Sequence, residues 1–390
     1  MTRAEAIAQA EALWEKTKRI AGQAAAKGSA GAAELRQRSG PILRQTVTRA
    51  SQLLDADLTK RKPAAVEPRD NGTAPVQITA FDLPPLAEPR EDVAAVITEL
   101  SKALIGQDRT TRLALCCYLS GGHLLLDGAP GLGKTTLARA LAAVTGRSLR
   151  RIQFTADLMP GDVLGVPVYD QDTATFVLHK GPIFSEFILA DEVNRAPPRA
   201  QSALLEAMEE RRVTIDGDTM DLPEGFFVVA TQNPIGQIGA FPLPESQLDR
   251  FLMRLDFMHP GRADERSVLQ TGDTRLTVDQ LQPVAGTMVS KARSDINGID
   301  VPDRVLTYLQ DLIDTSRDPS RFRVGLSVRA GLGVLSAAKT WAWMHQRNWI
   351  EHDDLQTIFG PVADHRLVAL DSAASRGRLS DSILSSVHVI

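Results

Sequence analysis

Short, uniformly apolar runs alternate with stretches of helical periodicity through the middle of the chain. His123-Leu124-Leu125-Leu126-Asp127, Phe187-Ile188-Leu189-Ala190 and Phe226-Phe227-Val228-Val229-Ala230 read as buried strands, and Leu149 to Phe154 alternates like a strand. Between them, Thr136-Leu137-Ala138-Arg139-Ala140-Leu141-Ala142-Ala143 is strong helix-former sequence, and Val93, Val96, Ile97, Leu100 and Leu104 recur at helical spacing. A further helix is predicted near Pro197, with Pro198 in its first turn. Val166-Pro167-Val168-Tyr169 and Thr175-Phe176-Val177-Leu178 flank a polar turn and predict a hairpin. Arg212-Val213-Thr214-Ile215, turned by Asp216-Gly217-Asp218, predicts a second.

The pattern changes on either side. Downstream, Val305, Leu309, Leu312 and Ile313 share one helical face, and Leu326 to Thr340 reads as another helix. Trp341, Trp343 and Trp349 read as core of that helical region rather than as a ligand cage. Upstream, residues 2–62 read as two or three helical segments, broken near Gly28-Ser29-Ala30-Gly31 and Gly40-Pro41. Their apolar face, which includes Trp14, Leu35, Leu53 and Leu54, is too thin for an independent core. Prolines at 63, 68, 75, 84, 85 and 89 mark an extended linker, within which Val76 to Phe81 is a candidate for packing on the next domain. The expected units are a basic helical extension over 1–62, a linker over 63–90, an α/β core over 91–260 and a helical domain over 261–390.

Composition narrows the class. At 390 residues the chain exceeds one usual core, and a net charge of −4 carries no global signature of nucleic-acid or anionic-membrane binding. The charge is uneven: residues 1–62 hold 12 Lys/Arg against 6 Asp/Glu, the remainder 32 against 42. A solvated helical arm accounts for the basic segment more simply than a nucleic-acid or acidic-protein site. Cys116 and Cys117 are neighbours on a predicted helix, which suits neither a disulfide nor a zinc site and points to a reducing, cytoplasmic setting. No stretch approaches a membrane span, and Glu5, Glu11, Glu15 and Lys16 interrupt any signal-peptide core.

The chemistry is concentrated in Gly128-Ala129-Pro130-Gly131-Leu132-Gly133-Lys134-Thr135, which fills every fixed position of the phosphate-cradling pattern G-x-x-x-x-G-K-[ST] between a predicted strand and a predicted helix. Its glycines let successive N–H groups approach phosphate oxygens at the positive end of the helix. Lys134 is placed for the β- and γ-phosphates and the Thr135 hydroxyl for Mg²⁺. The residues expected to hold a nucleotide are therefore Gly128, Pro130, Gly131, Leu132, Gly133, Lys134, Thr135 and Thr136. The bland alternative is a glycine turn followed by a surface lysine.

Asp191 and Glu192 end an apolar strand, where adjacent residues point to opposite faces and can take different tasks. Asp191 suits the surroundings of Mg²⁺, and Glu192 suits polarising the water that attacks a γ-phosphate; a capping pair for the next helix is the alternative. Asn233, after the strand ending at Ala230, could hydrogen-bond the γ-phosphate or that water, or simply form the turn before Pro234. Arg250 precedes another apolar strand and suits transition-state charge stabilisation on a neighbouring subunit, or an ordinary surface pair with Asp249.

With these residues assembled, the chain resembles the MoxR family of AAA+ ATPases. The resemblance lies in Gly181-Pro182-Ile183-Phe184, Ala190-Asp191-Glu192-Val193-Asn194-Arg195-Ala196, Gln201 to Glu210, and Pro242-Leu243-Pro244-Glu245-Ser246-Gln247-Leu248-Asp249-Arg250-Phe251. It implies an α/β fold: a P-loop core with a five-stranded parallel sheet between helices, and a helical lid. It also implies ATP with Mg²⁺ and a homo-oligomeric ring, usually a hexamer, with ATP at subunit interfaces. By the same resemblance Asn233 holds the sensor-1 position, Arg250 is an arginine finger acting in trans, and Ile105-Gly106-Gln107 lies beside the adenine. The hairpin around Asp170 to Thr175 resembles the helix-2 insert. Gly325-Leu326-Ser327-Val328-Arg329 matches the sensor-2 run loosely, with Leu326 and Val328 departing from it, and Arg329 takes that role. Family members remodel or mature client proteins, often with a von Willebrand factor A domain partner. The rivals are a nucleic-acid motor or loader, against which the acidic core and the lack of a DNA-binding motif count, and a nucleotide-gated scaffold with little turnover.

Overall fold

The computed structural model describes residues 83–85, 87–232, 241–271, 274–370 and 378–389. The basic extension, Val76 to Phe81 and Asn233 lie outside the described residues. All described residues belong to one of the two units into which the chain divides, Thr73–Ile390.

Five strands make the central sheet: β1 (Leu124–Asp127), β2 (Leu149–Gln153), β5 (Phe187–Asp191), β8 (Phe227–Thr231) and β9 (Met253–Asp256). Their order is β2-β5-β8-β1-β9 and every pairing is parallel. The two strands β5 and β8 are buried along their whole length, which is why they carry continuous apolar runs, while β2 at one edge is mostly exposed and buries only Ile152. The period of two distributes side chains between two cores. Leu124, Leu126, Phe187, Leu189, Phe227 and Val229 enter one, and Leu125, Ile188, Ala190, Val228 and Ala230 enter the other.

Helices α1 (Glu91–Ser101), α2 (Asp108–Leu119) and α3 (Lys134–Thr145) bury their apolar faces in the first core. After the short helix α4 (Pro160–Leu164), α5 (Pro198–Glu210) lies in the second core through Ala200, Leu204, Leu205 and Met208, with Pro198 in its first turn. Both expected hairpins are present, as β3 (Gly165–Asp170) with β4 (Thr175–Lys180), and β6 (Arg212–Ile215) with β7 (Asp218–Asp221).

The lid follows the short helix α6 (Glu245–Leu248) and β9. It comprises α7 (Arg262–Thr271), α8 (Thr274–Asp279), α9 (Gly286–Asn297), α10 (Asp303–Ser316), α11 (Val328–Met344), α12 (His352–Ala363) and α13 (Leu379–Leu384). One short antiparallel pair, β10 (Phe322–Val324) with β11 (Val368–Ala369), is added to it. The helix read over 326–340 begins at Val328, because the Ser327 hydroxyl accepts from the Ala330 N–H at 3.1 Å and caps it. Trp341 and Trp343 are buried as expected, but Trp349 is 46% exposed and its indole N–H donates to Glu351. Trp349 lies beyond the helix end, beside Asp300, so the expectation of a third core tryptophan is corrected. Among the described residues no helix is long and apolar enough to cross a membrane.

Candidate nucleotide site

Strand order brings the carboxyl ends of β5, β8 and β1 side by side, the edge at which open α/β sheets bind ligands. The phosphate loop leaves β1 there. Gly128 donates its N–H to the Asp127 carboxylate at 2.9 Å and has φ +141°. A Cβ on it would lie 2.7 Å from the Phe257 carbonyl oxygen, so only glycine lets the loop pass the end of β9. Pro130 and Gly131 stand exposed at the loop tip, Leu132 packs on the core beneath, and Gly133 in the left-handed region leads directly into α3. No side chain caps that helix start, which leaves its first N–H groups for an anion.

Lys134 is buried and spans the cleft: its ammonium donates to the Gly128 carbonyl within the loop and to the Gln232 carbonyl at the end of β8, 3.0 Å away. Burial pulls its pKa below the ordinary lysine value, while Asp127, Asp191 and Glu192 oppose that shift. Thr135 and Thr136 follow, half-buried in the first turn of α3. Ile105 and Gly106 precede α2, where a Cβ on Gly106 would meet the Asp264 carboxylate of α7 at 2.6 Å. The neighbouring Gln107 donates to the Met258 carbonyl at 3.0 Å, so this segment and the phosphate loop flank the same exit from β9. Arg254 of β9 pairs with Asp127 at 2.7 Å and with Asp256 at 3.7 Å.

Asp191 ends β5 with one carboxylate oxygen accepting from the Thr231 hydroxyl at 2.6 Å and the other from Arg151 at 2.6 Å. Glu192 is not a strand residue. It sits at φ +57°, ψ +48°, so the left-handed turn rather than strand alternation sends it away from Asp191, a correction to the expected geometry. A non-glycine residue there is strained by about 1 kcal/mol, as is common at functional sites. Its N–H donates to the same Thr231 hydroxyl at 2.9 Å, and its carboxylate accepts from Arg195 at 2.8 Å and Gln153 at 3.3 Å. Thr231 thus fixes both acids, a role that its place beside the more conspicuous Asn233 conceals in the sequence.

Arg250 and Arg329 are brought together elsewhere. Glu209, near the end of α5, forms an ion pair with Arg250 through one oxygen at 3.1 Å and accepts from Arg329 on the other at 2.9 Å. That helix end lies at the amino-terminal edge of the sheet. Arg211 donates to the carbonyls of Gly121 and Phe226, which precede β1 and β8, and His123 at the head of β1 bonds the Met208 carbonyl at 3.2 Å. Burial pushes the His123 pKa down to about 3, so the ring is neutral: Nε2 donates to Met208 and Nδ1 accepts from the Val228 N–H. The two arginines and the phosphate loop of one chain therefore stand at opposite edges of the sheet, separated by the length of β1, on the order of 13 Å.

These features define an AAA+ ATPase: the parallel sheet, the phosphate loop entering a helix, the strand ending in Asp191 with Glu192 in the turn after it, and the helical lid. Comparison agrees. The model described as "ATPase family associated with various cellular activities (AAA)" matches residues 123–253, and that of the AAA lid domain matches 315–387. An uncharacterized protein, YeaC, of Bacillus subtilis is 37% identical over 75% of this chain and 91% of its own. Chaperone MoxR1 of Mycobacterium tuberculosis is 36% identical over 74% of this chain and 80% of its own. A crystal structure of a candidate ATPase from Cytophaga hutchinsonii, 34% identical, superposes with a TM-score of 0.69 over 77% of this chain and 96% of that one. The chain belongs to the MoxR family of AAA+ ATPases.

Proposed function

We propose that the protein hydrolyses ATP to ADP and phosphate in a head-to-tail ring of identical subunits, a hexamer, and uses the cycle to remodel or mature a client protein complex. One observation carries this reading: Lys134, Asp191 and Glu192 stand at one edge of the sheet, and Arg250 and Arg329 at the other. Neither half can complete the other within one chain, whereas a heterologous interface apposes them between neighbours.

In this reading the loop N–H groups and Lys134 hold the triphosphate. The residues present fit Mg²⁺ as well: Thr135 offers a hydroxyl in the first turn of α3 and Asp191 a carboxylate at the end of β5, and the two would share the ion with phosphate oxygens and water. The ion would neutralise charge on the phosphates. Glu192, turned away from Asp191, polarises the attacking water. Asn233 orients that water or the γ-phosphate, and Arg250 of the neighbour, with Arg329, stabilises the developing charge.

Support for a protein client comes from the β3–β4 hairpin. Phe176 is 71% exposed and packs edge-to-face on Tyr169, itself exposed, at 5.4 Å between ring centres. Such apolar side chains on a projecting element suit polypeptide contact. A von Willebrand factor A domain partner and a cytoplasmic setting are part of the proposal through the family resemblance. The test is Glu192→Gln: ATP binding is retained while phosphate release falls by orders of magnitude, and affinity capture on this trapped form recovers an ATP-dependent protein partner. Wild-type phosphate release from the variant would remove Glu192 from its role. Capture without any ATP-dependent partner would count against remodelling.

A further inference from the structure

The segment that carries Arg250 is anchored in the core through Phe251 and Leu252 and clasped from outside by the lid. Arg366 follows α12, and its side chain is only 7% exposed. Its Nε donates to the Asp249 carboxylate at 2.6 Å. One terminal nitrogen, Nη2, donates to the carbonyls of Asp249 at 3.1 Å and Phe251 at 2.6 Å. The other, Nη1, donates to the Leu252 carbonyl at 3.2 Å and to that of Val362 in the preceding helix α12. All five guanidinium N–H donors are thus engaged, four of them by residues 249, 251 and 252. His365 adds a bond from Nε2–H to the same Phe251 carbonyl at 3.0 Å. Arg250 projects from the middle of this clasped stretch, and its side chain meets a second lid residue, Arg329, across Glu209.

We propose that Arg366 is the positioning residue for Arg250, so that the lid of one subunit sets the finger it presents to the next. The inference rests on the reading of Arg250 as acting in trans. A planar fork bonded to carbonyls on both sides of one residue fixes the direction of that residue's Cα–Cβ bond, which a point charge such as lysine cannot do. Because the fork belongs to the lid, it ties the backbone on either side of Arg250 to the position of the lid as well as to the core. A misplacement of about 1 Å at a group that contacts the transition state costs up to about a hundredfold in rate.

The test uses full-length subunits mixed in pairs. Glu192→Gln subunits retain Arg250 and supply the finger; Arg250→Ala subunits retain Glu192 and supply the catalytic loop. Mixing them restores phosphate release if Arg250 acts in trans. Arg366→Gln is then placed on one side at a time. On the finger-supplying subunit it is expected to cut the restored rate at least about tenfold, and on the loop-supplying subunit to leave it within about twofold. Equal loss from both placements would show a merely structural bolt and overturn the inference, as would no loss from either. Absence of restoration before Arg366 is touched would overturn the trans reading instead. If Arg366→Gln does not fold, Arg366→Lys keeps the charge and loses the fork, and the same one-sided loss is expected; a symmetric loss or no loss from it again overturns the inference.

Discussion

The guanidinium of Arg151 closes on the carboxylate of Asp191, 2.6 Å away, across the pairing of β2 with β5. The acid expected to share Mg²⁺ is therefore already paired, with a side chain that is itself 55% exposed and also donates to Gln153. Arg151→Gln removes this competitor. An ion pair so exposed is worth about 0.5–1 kcal/mol, so the Mg²⁺ concentration for half-maximal hydrolysis is expected to fall about two- to fivefold. An unchanged or higher Mg²⁺ requirement would show that the pair has no bearing on the metal.

The hairpin offers a contrast between backbone and tip. Gly165 at its base has φ +102°, and a Cβ there would lie 2.3 Å from the His179 carbonyl oxygen and 2.5 Å from the Gly181 nitrogen. Gly165→Ala is strained on both counts and is expected to cost about 2–4 kcal/mol, read as a lower melting temperature and faster proteolysis of the hairpin. Phe176→Ala removes an exposed ring and should shift stability by less than about 0.5 kcal/mol, with ATP hydrolysis by the ring alone unchanged. It is expected to release the client from the Glu192→Gln trap. Normal client retention with a bare hairpin tip would remove the hairpin from client contact.

Asp364 lines a cavity of about 380 Å³ between β9 and the lid and accepts from the Ser380 N–H at 2.9 Å. Burial raises its carboxyl to about 6 from an ordinary 3.8. A raised folded value means that ionisation opposes folding: the penalty is absent below the unfolded value, grows as pH rises, and is complete above about 6. Asp364→Asn is expected to melt higher than the parent at pH 7.5, by a margin on the order of 1–3 kcal/mol, and the margin should shrink as pH falls towards 4. A margin independent of pH would show that the carboxyl charge is not its source.

The sequence made the sheet legible where burial is complete. Phe187 to Ala190 and Phe227 to Ala230 are apolar at every position because both faces of their strands are covered, and no exposed strand could carry such runs. The phosphate loop was legible because its chemistry is contiguous. What escaped are relationships between residues distant in sequence. Thr231 reaches back to Asp191 and Glu192, Glu209 joins Arg250 to Arg329, and Arg366 clasps residues more than a hundred positions earlier. Local pattern carries no sign of these, since each depends on which sheet edge a helix end reaches. The left-handed turn at Glu192 was hidden for another reason: glutamate gives no warning of a conformation usually left to glycine.

The central claim is a site shared between subunits, and subunit mixing tests it most directly. Glu192→Gln and Arg250→Ala subunits are each expected to release phosphate at a small fraction of the wild-type rate. Mixed in equal amounts and assembled at random into a head-to-tail ring, they place an intact loop against an intact finger at about one interface in four, so about a quarter of the wild-type rate should return. A mixture that releases phosphate no faster than the average of its two components would contradict the shared site.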